Sequence, residues 1–198
     1  IDGDVGRGGR RFEVPLAEVD KDQRSAAKMV NFGIVYGVTP YGLARRLDQD
    51  VARAARIIND YKRRFPGIDR FLETCVEQAQ ETGYVETIRG RKRMINDIHS
   101  SNGQTRALAE RLAINSVVQG SAADLIKIAM IRVHRSLPDL HPEARLILQV
   151  HDELVLEVPH AVEEAARDLL VHEMEHAMAL SVPLVVDVSV SENWFDAK

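Results

Sequence analysis

Residues 24–37 read RSAAKMVNFGIVYG, and four of their side chains recur at intervals of four: Arg24, Lys28, Phe32 and Tyr36. Each step of four residues advances about 40° beyond a full helical turn, so a helix places these side chains on one face. That face runs from positive charge to aromatic rings, which suits a ligand with phosphates at one end and a flat base at the other. The alternative is an amphipathic helix whose cations lie along its surface. Gly33 and Gly37 favour the ligand surface, because glycine inside a helix costs about 1 kcal/mol against alanine and indicates a close approach.

The composition is that of a globular protein whose charge is unevenly distributed. The 198 residues are 45% hydrophobic and 28% charged, with a formal net charge of −4. Residues 21–111 contain 17 Lys and Arg against 11 Asp and Glu, a net charge of +6, which leaves −10 for the remainder. A basic part beside an acidic part suits a protein that holds a polyanion and metal ions in different places. A solvated surface without a partner would show the same pattern.

Targeting and redox signals are few. No apolar run reaches the ~18 residues of a membrane span, and the first residues lack the apolar core of a signal peptide. Cys75 is the only cysteine, so we expect no internal disulfide, a reducing compartment and an inert core thiol. These features predict a cytoplasmic protein that does not contact a membrane.

Capping and turn signals predict the order of the elements. Asp20 and Gln23 form a capping box before the first long helix, and Thr39-Pro40 opens a short helix to about Leu47. The remaining predicted elements are helices over 51–65 and 67–80, a strand over 84–88, a turn at 89–91, a helix from 104 to about 135, strands over 144–150 and 154–158, a helix over 160–180 and a last strand over 184–190. The fold class is therefore α+β, with mainly helical structure first and a small antiparallel sheet with packed helices later.

Three polar clusters interrupt this pattern. His151-Asp152-Glu153 separates two apolar strands, and adjacent carboxylates at a hairpin tip suit Mg²⁺, although acidic residues are also common in plain turns. The long helix carries three polar residues at intervals of four, followed by a glycine that again indicates a close approach: Arg111, Asn115, Gln119 and Gly120. A basic cluster on the earlier hairpin is equally compatible with a solvated tip and with phosphate contacts: Arg89, Arg91, Lys92 and Arg93.

These motifs resemble those of the family A DNA polymerases, the DNA polymerase I type. Residues 24–37 resemble motif B, and Gln149-Val-His-Asp-Glu-Leu-Val resembles motif C. Residues 111–124 resemble the long helix of the palm, and Glu192-Asn-Trp resembles the C-terminal end. The resemblance covers roughly Phe12 to Lys198. It implies an irregular segment over 1–20, a helical fingers region with a basic hairpin over 21–103, and the distal palm over 104–198.

The resemblance implies template-directed DNA synthesis, in which two Mg²⁺ ions assist deoxynucleotidyl transfer to a primer 3′-hydroxyl. The implied partners are primer–template DNA and deoxynucleoside triphosphates, and the implied enzyme is a monomer of replication or repair. The implied nucleotide-binding residues are Arg24, Lys28, Phe32 and Tyr36. The implied DNA-binding residues are Gly37, Arg111, Asn115, Gln119 and His151. The implied catalytic residues are Asp152, Glu153 and Lys28, with Asp152 as the metal ligand.

The sequence departs from the family pattern at one essential point. The family's second metal-binding aspartate, in motif A, has no match, and Asp4 lies in a Gly-rich stretch without strand character. We therefore expect the 198 residues to bind nucleotide and primer–template without catalysing. One alternative is a nucleic-acid-binding protein without catalysis. Another is a zinc metalloprotease, because residues 172–176 fit the pattern His-Glu-x-x-His, although no clear third ligand follows.

Overall fold

A computed structural model describes residues 18–197 of the chain. The expected irregular segment over 1–20 therefore lies almost entirely outside the described residues. The chain divides into two compact units: one runs to Glu86 and includes Lys92–Val117, and the other comprises Thr87–Arg91 and the chain from Val118 onward. The division falls inside the long helix, later than the boundary near residue 103 that the resemblance implies. The naming of these units as fingers and palm stays a prediction.

The described part of the first unit contains four helices before the first hairpin, as the capping signals predict: α1 Lys21–Val35, α2 Pro40–Leu47, α3 Val51–Arg64 and α4 Pro66–Thr82. The capping box at Asp20 is formed, and the side chains of Thr39 and Asp50 accept the first free N–H groups of α2 and α3. Helix α4 ends where expected, because Gly83 adopts a left-handed conformation at φ 78°.

A short hairpin and the start of the long helix complete the first unit. Strands β1 Tyr84–Glu86 and β2 Lys92–Met94 pair antiparallel, and α5 spans Gly103–Leu140. One apolar cluster fixes α1 on α2 and α3 through Val30, Ile34 and Leu43. Another lies beneath the hairpin, where Val85 and Ile95 are almost fully buried. Cys75 is buried as predicted, and burial raises the pKa of its thiol.

The second unit contains the end of α5, a hairpin and a terminal helix. Strand β3 Arg145–Val150 pairs antiparallel with β4 Glu153–Glu157, and a register shift between Leu146 and Leu148 interrupts the pairing. A single 3₁₀ turn over His160–Val162 then leads into α6, Glu163–Glu175. Val133, Leu137 and Ala144 form the buried centre of the cluster that packs these elements together. The predicted hairpin is confirmed.

Two predictions about the C-terminal region are wrong. Helix α6 ends at Glu175 instead of Leu180, because the backbone turns at His176, whose carbonyl accepts a hydrogen bond from Arg132. Residues 184–190 form no strand, because no described backbone pairs with them; the Val186 N–H donates instead to the Glu175 carboxylate at 3.1 Å. A strand needs a neighbouring strand for its hydrogen bonds, which alternation of apolar residues does not supply.

The fold class α+β is confirmed, since residues 18–197 contain helices together with two separate two-stranded antiparallel sheets. Within residues 18–197 no helix is long and apolar enough to cross a membrane.

Candidate functional site

The face predicted on α1 is formed. The rings of Phe32 and Tyr36 stack with centroids 6.3 Å apart and planes 11° from parallel, and Lys28 Nζ lies 5.8 Å from the Phe32 centroid. Phe32 keeps 44% of its surface exposed, which is unusual for a large apolar side chain on a packed helix. Arg24 lies two turns before Phe32 on the same helix and is exposed. The face therefore presents cations, then a half-open aromatic stack.

Gly33 near the end of α1 and Gly37 just after it allow the protein's own side chains to approach. A Cβ at Gly37 would lie 3.2 Å from Arg111 Cγ, and Gly37 has a φ of 72° that disfavours other residues. A Cβ at Gly33 would lie 3.2 Å from Val38 Cγ1, where the chain folds back after the helix. The close approach that the glycines indicate is therefore internal at both positions.

A cavity of about 360 Å³ lies at the aromatic end of this face, within the first unit. Its lining includes five of the residues singled out by the sequence: Phe32, Gly33, Tyr36, Gly37 and Arg111. Arg24 and Lys28 lie outside the lining, nearer the start of the helix. Arg46 on α2 also lines the cavity and was missed by the sequence argument. No spacing in the sequence connects Arg46 to α1, so only the packing of α2 could have revealed it.

The polar residues on α5 keep their regular spacing. Asn115 lies one turn after Arg111, and its Oδ1 atom is buried without a hydrogen-bond partner among the described residues. Gln119, a further turn along, is exposed and belongs to the second unit. Arg111 and Asn115 thus belong to the first unit and Gln119 to the second, while one continuous helix carries all three.

The acidic tip of the second unit is a tight, ordered turn. Val150 pairs with Glu153, so only His151 and Asp152 bridge the two strands. His151 adopts a left-handed φ of 54°, and its carbonyl accepts a 2.5 Å hydrogen bond from Gln149 Nε2. His151, Asp152 and Glu153 are exposed. The turn holds its carboxylates open to solvent on a defined backbone.

The carboxylates of the tip offer the oxygen ligands that Mg²⁺ prefers. Neither Asp152 nor Glu153 forms an ion pair within residues 18–197, so both remain available as ligands. No group of three or more His, Cys, Asp or Glu in that range is arranged to hold a metal ion. The donor chemistry fits Mg²⁺, and the described residues supply only part of a ligand set.

The basic cluster on the first hairpin separates into two kinds of residue. Arg91 donates from Nε to Asp124 Oδ1 and from Nη2 to the Gly120 carbonyl, both at 3.0 Å. Lys92 lies against Tyr84 and near Glu86, and the hydroxyl of Tyr84, followed by the charge of Glu86, raises the pKa of Lys92. Arg89 and Arg93 are exposed and form no ion pair among the described residues.

Asp124 is a buried acid, only 8% exposed, on the inner side of α5. Its Oδ2 atom has no well-formed hydrogen bond, while Oδ1 accepts from Arg91. The pKa of Asp124 is lowered, first by the nearby Thr87 hydroxyl and then by the charges of Arg91 and Lys127, which together outweigh burial. The carboxyl is therefore held in its charged form.

The histidines of the metalloprotease pattern do not form a metal site. His176 lies beyond the last helical residue, and its Nδ1 is 2.9 Å from the His172 carbonyl oxygen. The two rings stack with centroids 4.4 Å apart. No third ligand accompanies them in the described part of the chain. The zinc metalloprotease alternative therefore gains no support from the described residues.

Comparison with known proteins gives the class of the molecule. The family model described as DNA polymerase family A matches residues 8–196, and the chain belongs to this family.

Individual relatives agree with this assignment. The chain is 46% identical over 187 residues to DNA polymerase I of Caldicellulosiruptor bescii, which covers 94% of this chain and 22% of that protein. DNA polymerase I of Bacillus caldotenax is also 46% identical over 187 residues, with 94% and 21% covered. The solved structure "POL domain of Pol1 from M. smegmatis complex with DNA primer-template and dNTP" superposes with a TM-score of 0.93 at 39% identity, covering 98% of this chain and 34% of that one. The chain spans about a fifth of the length of the curated relatives.

Proposed function

We propose that the protein containing this chain is a DNA-directed DNA polymerase that transfers deoxynucleotides to a primer 3′-hydroxyl. Membership of family A supports this, and the structural neighbour is described as a complex with primer–template and dNTP. The observation that carries the proposal is the face of α1, where cations precede a half-exposed aromatic stack beside a cavity.

The residues along α1 and at its end contact different parts of the nucleotide. Arg24 and Lys28 present positive charge to the triphosphate, and the rings of Phe32 and Tyr36 pack against sugar and base. Gly37 and Arg111 border the templating base at the cavity. Because phosphoryl transfer depends mainly on positioning and charge neutralisation, such a surface can select and orient the nucleotide without covalent chemistry.

Mg²⁺ is the cofactor in this proposal. Asp152 would hold it with assistance from Glu153, and substrate phosphates and groups outside residues 18–197 would complete the ligand set. When bound, Mg²⁺ neutralises phosphate charge and favours ionisation of the attacking hydroxyl. The tip residues themselves keep two carboxylates exposed on a rigid turn, so that they meet the substrate without rearrangement.

The primer–template contacts are assigned to Asn115, Gln119 and His151. Minor-groove acceptors are similar for all base pairs, so amide donors there test pair shape without reading sequence. The side-chain NH₂ groups of Asn115, which is half-buried, and of Gln119, which is exposed, are the donors for such contacts. A monomeric, cytoplasmic enzyme of replication or repair completes the proposal, and light scattering and cell fractionation test the first two properties.

Primer extension tests the proposal directly. The full-length protein carrying this chain should extend a labelled primer–template with Mg²⁺, and Asp152→Ala should abolish extension while DNA binding stays nearly unchanged. Asp168→Ala on α6 is the matched control, since it removes an exposed carboxylate elsewhere in the same unit. Full residual activity in Asp152→Ala would overturn the metal role.

The isolated 198 residues provide a second arm. We expect them to bind primer–template and dNTP without extending the primer, because the described residues hold only part of a metal ligand set. This outcome would describe the chain as a nucleic-acid-binding part of a larger catalyst. Extension that is lost in Asp152→Ala would show that another residue of this chain supplies the second carboxylate.

A further inference from the structure

The tip of the first hairpin, residues 87–91, is fastened to the turn of α5 that follows Gln119. The Ile88 N–H donates to Ser121 Oγ at 2.9 Å, and Arg91 binds both Asp124 and the Gly120 carbonyl. All of these groups belong to the second unit. The three contacts come from two residues of the turn and reach three residues of the helix, Gly120, Ser121 and Asp124, which lie within little more than one helical turn. We call this set of contacts the hairpin clamp.

The clamp is also tight sterically. A Cβ at Gly120 would lie 2.6 Å from Thr87 Cγ2, closer than real Cβ atoms come to other heavy atoms. Thr87 cannot easily move away, because its hydroxyl accepts the N–H groups of Arg89 and Arg91 at 3.3 and 3.2 Å. The glycine that follows Gln119 is therefore required by the hairpin.

The clamp holds the turn to the helix by three hydrogen bonds, although a turn open to solvent can form without any. Arg91 is half-exposed, but its guanidinium is committed to the helix through two different nitrogen atoms. A planar fork with two acceptors fixes both distance and orientation, which a lysine cannot do. The helix turn so fixed begins at the residue after Gln119, whose side chain is exposed.

We propose that Arg91 is a positioning residue, which through the hairpin clamp sets the place of Gln119 against the primer–template. The inference rests on the proposed function and adds a residue that makes no contact with substrate. Arg91, Thr87 and Gly120 act together: the first fixes the distance between tip and helix, and the other two set how closely they approach. Positional errors of about 1 Å can cost up to about a hundredfold in rate, so the clamp affects extension without touching DNA.

A double-mutant cycle in the full-length protein tests the coupling. Arg91→Gln should lower kcat/KM for a matched primer terminus by about tenfold and reduce discrimination against a mismatched one. Gln119→Ala should do the same, and the two losses should not add, because each removes the same placed amide. Arg91→Lys should lose as much activity as Arg91→Gln, since lysine keeps the charge but not the planar set of donors of the guanidinium.

Two controls separate positioning from general destabilisation. Val133→Ala weakens the core of the same unit, because Val133 is fully buried there. The two variants are compared at temperatures equally far below their own thermal midpoints. Val133→Ala should leave mismatch discrimination unchanged. Arg89→Gln removes a charge from the same turn without removing a clamp contact. It should weaken binding to primer–template equally for matched and mismatched primer termini.

A steric pair tests the clamp independently. Gly120→Ala should lower kcat/KM by about tenfold, and adding Thr87→Ser should restore most of it. Serine keeps the hydroxyl that accepts the turn's N–H groups and removes the methyl that lies 2.6 Å from the new Cβ. If Gly120 is needed for contact with DNA, removing the Thr87 methyl should not restore the activity.

The outcomes distinguish the two proposals. If the wild-type protein neither binds nor extends primer–template, the proposed function fails and the positioning role with it. If the wild-type protein extends but the Arg91 and Gln119 losses add fully, the positioning role alone is overturned. It is also overturned if the stability-matched Val133→Ala loses discrimination to the same extent, or if Thr87→Ser fails to rescue Gly120→Ala.

Discussion

Asp124 shows how a single residue can keep its charge inside a protein. A buried carboxylate is costly unless charged or hydrogen-bonding groups compensate it. Here the Thr87 hydroxyl and the Arg91 guanidinium lie at the carboxyl, and the hairpin tip delivers both. The lowered pKa means that the charged form of Asp124 is more stable in the folded protein than in the unfolded chain. The stability of the second unit is therefore linked to pH through this residue.

Asp124→Asn should reduce the free energy of unfolding at pH 7 by about 1–3 kcal/mol, because the amide oxygen can still accept from Arg91 but the negative charge that pairs with the guanidinium is lost. Because the folded pKa lies below the unfolded one, the stabilisation is fully present above the ordinary aspartate pKa of about 3.9. It is lost as the pH falls through the folded value. Urea unfolding at several pH values down to about 3 measures this.

The control for this prediction is Asp168→Asn, which changes an exposed carboxylate on α6. It should shift stability little at any pH. Parallel pH profiles for the wild type and Asp124→Asn would show that the Asp124 carboxyl contributes no pH-dependent stability.

At the scale of elements, local signals predicted the helices well because caps and stops are properties of a few adjacent residues. Asp20, Thr39 and Gly83 each act within four residues of a helix end, so the sequence reveals them. The strand predicted over 184–190 was wrong for the opposite reason, since a strand needs a partner strand from elsewhere in the chain. Helix α6 ended early because Arg132, far away in the chain, binds the carbonyl of His176.

The candidate site follows the same division. Periodicity predicted that Phe32 and Tyr36 share a face, and the spacing along the long helix singled out Arg111. The position of Arg111 beside Gly37 was not predicted. Arg46 and the pair of Arg91 with Asp124 were not predicted, because their partners are distant in sequence and meet only through packing. The glycines indicated where something comes close, yet its identity, a side chain of the same protein, needed the fold.

The β3–β4 turn allows backbone and side-chain roles to be separated. His151→Gly should raise the free energy of unfolding by about 0.5–1 kcal/mol, because glycine adopts the φ of 54° without strain. The same change should lower primer extension by the full-length protein if the imidazole contacts the primer terminus. Urea unfolding and steady-state extension measure the two effects on the same variant.

His151→Ala is the matched control, since it removes the imidazole but keeps the strained backbone. It should lose extension as His151→Gly does without gaining stability. The Gln149 contact is to the backbone carbonyl and persists in both variants. Wild-type extension in both would remove His151 from the proposed DNA contacts.

At the scale of the whole molecule, the uneven distribution of charge should determine how strongly the proposed nucleic-acid-binding surface attracts a polyanion. Residues 21–111 carry a net charge of +6 within a sequence of net charge −4, so under the proposed function the affinity for DNA should depend on where the cations lie and not on total charge. Binding that displaces counterions weakens with salt, by a slope of about 0.9 per phosphate neutralised. Arg91 is occupied by Asp124, so Arg89 is the tip residue free to make such a contact.

Arg89→Gln should therefore lower the salt slope of primer–template binding by about 1, equally for different sequences. Fluorescence anisotropy with the 198-residue chain, between about 50 and 200 mM salt, gives the slope. Arg167→Gln is the matched control, because it removes an exposed arginine from acidic α6 and should leave the slope unchanged. A wild-type slope in both variants would assign the tip to solvent, and an equal reduction in both would mean that net charge alone drives binding.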